Sequence, residues 1–150
     1  MRVEGIYHLP AGPESVWDLL MDPAFLKEAI PGCEELAEEG DRTYRVRIEL
    51  GVGPIDSTFT GHVRLNELRP PQHCRMETTA EGLAGSLNGS AGIDLAGQDG
   101  GTEVRYSGEM QVSGMIDVLG SRMIERVFRK SVEEFFGRAG SRLREQSRER

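Results

Sequence analysis

Between Ile55 and Leu65 the chain alternates without a break. Ile55, Ser57, Phe59, Gly61, Val63 and Leu65 fall in one phase, and Asp56, Thr58, Thr60, His62 and Arg64 in the other. Such alternation marks a strand with one buried and one wet face. The same period of two recurs on both sides of it. An N-terminal strand over Arg2–Leu9 sets Val3, Tyr7 and Leu9 on one side. A short strand at Cys33–Glu38 precedes one with Tyr44, Val46, Ile48, Leu50 and Val52 inside. After Arg69-Pro70-Pro71 come three more strands. Their inward rows are Cys74, Met76, Thr78 and Ala80; then Leu87, Gly89, Ala91, Ile93 and Leu95; then Val104, Tyr106, Gly108, Met110 and Val112. Turn signals at Glu39-Gly40-Asp41, Gly53-Pro54 and Asp99-Gly100-Gly101 separate them.

Helical spacing appears in two places. PESVWDLLMD opens on Pro13, a good first helical residue, and buries Val16, Trp17, Leu20 and Met21. Asp22-Pro23 breaks it, and a second short helix through Phe25, Leu26 and Ala29 stops at Pro31-Gly32. Beyond Ser113-Gly114, Ile116, Leu119, Met123, Ile124, Val127, Phe128, Val132, Phe135 and Phe136 form the apolar stripe of one long helix. Past Gly137 and Gly140 the stripe thins to Leu143, so residues 143–150 are expected to fray. The order predicts a single α+β domain over 1–150, with a curved seven-stranded antiparallel sheet gripping a long C-terminal helix.

Composition changes this picture at one point. The 150 residues include 19 glycines, about twice the usual share, and several fall in inward phases. Small residues facing inward beside methionines and aromatics suit a cavity for a lipophilic ligand carrying one or two polar groups. The alternative interior is solid, with the phenylalanines and methionines as plain core and the glycines serving curvature. The cavity reading assigns ligand binding to Phe59, Gly61, Met76, Ala91, Tyr106, Gly108, Met110, Leu119, Met123 and Val127. It expects Gly61→Leu combined with Gly108→Leu to abolish uptake and leave the fold intact.

The net charge of −7 argues against general nucleic-acid binding. Its distribution is uneven: residues 122–150 hold nine Arg and Lys against five Glu, on an otherwise acidic chain. Arg138, Arg142, Arg144 and Arg148 are therefore candidates for contact with a membrane or a partner, although a solvated helix face often carries such charges. No stretch of 18 apolar residues and no signal-peptide core occurs, and Cys33 and Cys74 are too few for a disulfide framework. A cytoplasmic location with reduced thiols is expected.

Catalytic constellations are sparse. His8, His62 and His73 all fall on outward phases, and none has a second metal ligand at the right spacing, so neither a metal nor another cofactor is expected. Neither cysteine has a histidine partner in sequence, and no phosphate loop, nucleophile elbow or dinucleotide fingerprint is present. Tyr44, Tyr106 and Tyr7 are the polar tips of the inward rows. A cavity without an acid, base or nucleophile predicts a binding protein rather than an enzyme.

The opening LPAGPESVWDLLMDPAFLKEAIPGCEEL resembles the start of the SRPBCC superfamily, the helix-grip fold of START domains and birch-pollen allergens. It is most similar to one branch of that superfamily, the G-subunit family of bacterial carbon monoxide dehydrogenases. The landmarks are the Val16-Trp17 helix, the Asp22-Pro23 break and the Pro31-Gly32-Cys33 turn, then Gly53-Pro54-Ile55 followed by Phe59 and Gly61. The resemblance continues through the glycine-rich sixth strand and the last helix. It implies an accessory factor of molybdenum-containing carbon monoxide dehydrogenases or related hydroxylases, one that recruits the enzyme to the membrane or carries a quinone or other lipid. Some relatives continue past the last helix with an anchoring segment. Membrane contact is here expected to be weak and peripheral, through the basic helix end or the pocket mouth. A cyclase-like or hydrolase enzyme of the same fold, and a purely structural assembly partner, are the competing expectations.

Overall fold

The computed structural model describes residues 1–149. Strand β1 (Arg2–Leu9) leads into helices α1 (Pro13–Leu20) and α2 (Pro23–Ala29). Strands β2 (Cys33–Glu38), β3 (Thr43–Val52), β4 (Ile55–Arg69), β5 (His73–Gly82), β6 (Gly85–Gln98) and β7 (Gly101–Ser113) follow. A 3₁₀ turn at Met115–Leu119 then introduces helix α3 (Ser121–Arg148). All neighbouring strands are antiparallel, in the order β1-β7-β6-β5-β4-β3-β2. This is the expected α+β helix-grip arrangement: hairpins join successive strands, and β1 closes on β7.

Local chemistry sets the helix ends. Pro13 and Pro23 occupy first-turn positions, and the Asp22 carboxylate accepts from the Ala24 amide at 3.0 Å. Gly32 is required where α2 turns into β2. Its φ is +76°, and a side chain there would stand 2.1 Å from the Glu49 carbonyl oxygen. Thr102, the buried polar residue of the core, donates its hydroxyl to the Ala11 carbonyl at 2.6 Å and ties β7 to the loop after β1.

The core is divided into three. The largest part lies between the three helices and β1, β6 and β7, and includes Leu9, Val16, Trp17, Phe25, Leu95, Val104, Phe136 and Leu143. Val16 and Val104 are fully buried, each worth about 1.5–3 kcal/mol of transfer free energy. A second part packs Phe59, Ala80, Ala84 and Ile116, and a third packs Tyr44, Val46 and Leu65. The concave face between these clusters is left incompletely filled.

The last helix does not thin where its apolar spacing does. α3 continues to Arg148, and Ala139 and Leu143 are 0% and 2% exposed. Ala139 and the buried Gly140 are small enough to let the helix lie against α1 and α2. The segment expected to fray from 143 is thus helical through 148, while Arg150 lies outside the described residues.

The basic helix end is also partly committed inside the molecule. Arg138 donates to the carbonyl oxygens of Ala29 at 3.0 Å and Glu28 at 3.4 Å, placing a cation on the C-terminal carbonyls of α2. Arg142 pairs with the Glu28 carboxylate and stacks 5.5 Å from the centre of the Phe25 ring. Arg138→Ala should therefore cost about 1 kcal/mol, read as a lower urea midpoint at unchanged slope. A midpoint identical to that of the wild type would show that the contact is idle.

A cavity between the sheet and the last helix

A half-open cavity of about 180 Å³ lies between α3 and the inner faces of β5, β6, β7 and β1. Met76 and Thr78 line it from β5, Leu87, Gly89 and Ala91 from β6, Tyr106 and Met110 from β7, and Val3 from β1. α3 closes it with Phe128 and Val132, one turn apart on the same face. The interior is overwhelmingly apolar. Glu4, Asn88, Glu109 and Arg129 line it too and are exposed, which puts them at its mouth; Glu125 stands beside them, half-buried. Arg129 Nη2 donates to Glu125 Oε1 at 2.9 Å across one helical turn.

One wall is aromatic. The Tyr106 ring lies over Gly5, where an added Cβ would stand 2.7 Å from its hydroxyl. Tyr7 stacks on Phe136 with ring centres 4.6 Å apart, and Tyr106 completes the group at 6.2 Å from Tyr7 and 6.4 Å from Phe136. Burial raises the phenol pKa of both tyrosines, and the nearby Arg129 pulls both the other way. At neutral pH Tyr106 thus offers the cavity an uncharged hydroxyl that can donate or accept one hydrogen bond.

Of the ten residues assigned to ligand binding from the sequence, Met76, Ala91, Tyr106 and Met110 meet at this cavity. Six lie elsewhere. Phe59 is 2% exposed in the second core cluster, and Leu119 ends the 3₁₀ turn beside it. Met123 covers the β3–β4 turn, its sulfur 2.7 Å from where a Gly53 side chain would begin, and Val127 is also absent from the lining. Gly61 and Gly108 are close-approach positions rather than wall. Added Cβ atoms would stand 1.8 Å from the Thr79 carbonyl oxygen and 2.2 Å from that of Ser90. The expectation that leucines there would block uptake in an intact fold is corrected accordingly: both substitutions strike backbone. Of the expected contact arginines, Arg138 and Arg142 hold α2, while Arg144 and Arg148 are exposed.

The sequence reading missed Val3, Thr78, Leu87, Phe128 and Val132, and the charged residues at the mouth, whereas Gly89 is one of its small inward residues. A signal existed in α3. Counting back from the buried Phe136 by helical turns gives Val132, Phe128 with Arg129, and Glu125, the row that faces the cavity.

Neither the cysteines nor the histidines line the cavity. Burial pushes the Cys74 thiol up to about 11, and desolvation also raises Cys33, so neither is a ready thiolate at neutral pH. His62 and His73 bond Glu39 and Asp94, each at 2.8 Å, as pairs on the polar face of the sheet. Among the described residues no group of three or more potential ligands could hold a metal, and no helix is long and apolar enough to cross a membrane.

The curved antiparallel sheet around one long helix, with a cavity between them, defines a START-like helix-grip protein. The chain matches CoxG, the carbon monoxide dehydrogenase G-subunit family, over residues 5–143, and it belongs to that family. Among solved structures it is similar to a conserved protein from Geobacillus kaustophilus, at 26% identity and a TM-score of 0.93, covering 97% of this chain and 96% of that one. A START superfamily protein from Mycobacterium smegmatis shares the fold at 10% identity and a TM-score of 0.73, covering 97% and 98%. The Zhui aromatase/cyclase from Streptomyces sp. R1128 shares it at 16% identity and a TM-score of 0.65, covering 95% and 92%. No curated protein sequence matches the chain.

Proposed function

We propose that this protein is a non-catalytic carrier of a lipophilic small molecule, a quinone or another lipid. In this reading it is accessory to a molybdenum-containing carbon monoxide dehydrogenase or a related hydroxylase. The apolar cavity under α3, with the hydroxyls of Tyr106 and Thr78 among its few polar groups, carries the reading. Its size narrows the mode of binding. A cavity of about 150 Å³ holds a benzene ring, whereas sites that enclose a drug-sized ligand run to about 300–1,000 Å³. At about 180 Å³ this one takes a ring-sized head or a short length of chain, and the rest of the ligand leaves through the mouth. Membership of the CoxG family supports the accessory role. Weak peripheral contact with a bilayer rests on Arg144 and Arg148, the exposed cations at the end of α3.

An enzymatic reading would have to run on Tyr106 and the charged groups at the mouth, Glu4, Glu109, Glu125 and Arg129. The phenol is held neutral by burial, Glu125 pairs with Arg129 and Glu4 with Arg2, and Glu109 is exposed to water at the mouth, which leaves no unpaired base within the apolar interior. The test is extraction. Protein expressed in a quinone-containing bacterium is purified, extracted with organic solvent and analysed by mass spectrometry. A near-stoichiometric quinone or lipid is expected. An empty extract, repeated after incubation with membranes, would overturn the carrier reading in favour of an assembly partner.

A further inference from the structure

Five large apolar residues among those described are exposed, and three of them share one knob. Leu83, at the β5–β6 turn, is 101% exposed; Val118 and Met115, in the 3₁₀ turn before α3, are 85% and 60% exposed. The two segments are one structure. The Ile116 amide donates to the Ala84 carbonyl at 2.9 Å, and Gly85 packs so tightly on Ser113 and Gly114 that a side chain there would meet backbone at 2.0 Å. Ala84 and Ile116 are buried in the second core cluster directly beneath, so the exposed tips stand on a rigid base. Exposed apolar tips grouped on a packed support and rimmed by polar residues are a feature of interaction sites.

The charge around the knob selects its occupant. Leu83 and Met115 border a shallow cleft that is also lined by Glu49, Asp56 and Ile55, and Asp117 lies within the 3₁₀ turn itself. Among the described residues none of these three carboxylates is in a salt bridge. The nearest cations along the chain are Arg47, two residues from Glu49 and already paired with Glu35, and Arg122, in the first turn of α3. An anionic bilayer would be repelled by this border, and a protein surface with an apolar recess flanked by Lys and Arg would be attracted.

We propose that the Leu83–Met115–Val118 knob is the docking surface for a protein partner that presents an apolar recess bordered by basic side chains. Resting on the accessory role above, that partner is the dehydrogenase rather than the membrane. It docks at the N-terminal end of α3, which about 35–40 Å of helix separates from Arg144 and Arg148. Leu87 joins the knob to the cargo site, because it packs in the cluster under the knob and also lines the cavity.

The experiment measures binding of this protein to the carbon monoxide dehydrogenase of its own source organism, by interferometry. Wild type is compared with Leu83→Ser/Val118→Ser and with Asp56→Lys, and each variant is checked for an unchanged melting temperature. The double variant should bind at least about tenfold more weakly, and Asp56→Lys several-fold more weakly, with the wild-type affinity falling as salt rises. Equal affinity for wild type and double variant overturns the knob as docking surface while leaving the accessory role standing. No binding by wild type removes the accessory role and this proposal with it. Leu83-dependent binding to vesicles of 70% phosphatidylcholine and 30% phosphatidylglycerol, or Leu83-dependent self-association in sedimentation, would also overturn the proposal.

Discussion

A Gly61→Ala variant is expected to lose about 4 kcal/mol of unfolding free energy, a large part of the 5–15 kcal/mol that holds a domain of this size. The reason is geometric. Gly61 sits in β4 between Val46 of β3 and Ala80 of β5. A Cβ there would stand 1.8 Å from the Thr79 carbonyl oxygen and 2.6 Å from the Ala80 Cα, which are backbone atoms and cannot rotate away. Accepting the methyl group means moving β5, and with it the pairing to β6. The sign is what discriminates. A strand glycine without such a contact costs entropy, and alanine there gains about 0.5–1 kcal/mol. Gly92→Ala is the internal control, because its Cβ would meet only the edge of the His73 ring, at an ordinary 3.6 Å. Urea denaturation of both variants checks the prediction. Gly61→Ala at or above wild-type stability would show that the strands separate at little cost.

That case marks where the sequence stops being legible. Period-two alternation is a property of one strand, so the seven strands and their inward faces could be read directly. Whether an inward glycine leaves space or admits a neighbour depends on the backbone of the next strand, which alternation does not encode. Gly61 and Gly108 therefore looked like openings and are close approaches. The helix shows the same limit. The apolar stripe read as one helix is divided: Ile116 lies in the 3₁₀ turn and packs in the second core cluster, while Phe128 and Val132 of α3 face the cavity. Spacing alone does not say which part of the stripe meets which. Charge counting had a similar blind spot. The basic end of α3 is plain in sequence, yet the commitment of Arg138 and Arg142 to α2 is set by tertiary packing more than 100 residues apart in the chain.

Ala91→Phe should empty the site while sparing the fold, and it is the variant on which the carrier reading depends most. Ala91 lies on β6 opposite Met76 of β5 and Gly108 of β7, and its side chain contributes to the cavity wall. An added phenyl group has the footprint of the benzene that a cavity of about 150 Å³ accepts, so it occupies most of the roughly 180 Å³ here. Two effects act on stability. Filling an apolar void stabilises, and any misfit costs about 1–3 kcal/mol. The cavity is half-open, so a misfitting ring can shift toward the mouth, and the melting temperature should change by only a few degrees. Co-purified lipophile per mole of protein should fall at least about tenfold. Phe128→Ala acts from the opposite wall and in the opposite sense: it enlarges the cavity, lowers stability, and should leave the extracted cargo at or above the wild-type amount. Cargo lost from Ala91→Phe and kept by Phe128→Ala places the ligand between β6 and α3. Full cargo in a folded Ala91→Phe protein would mean that the lipophile binds elsewhere.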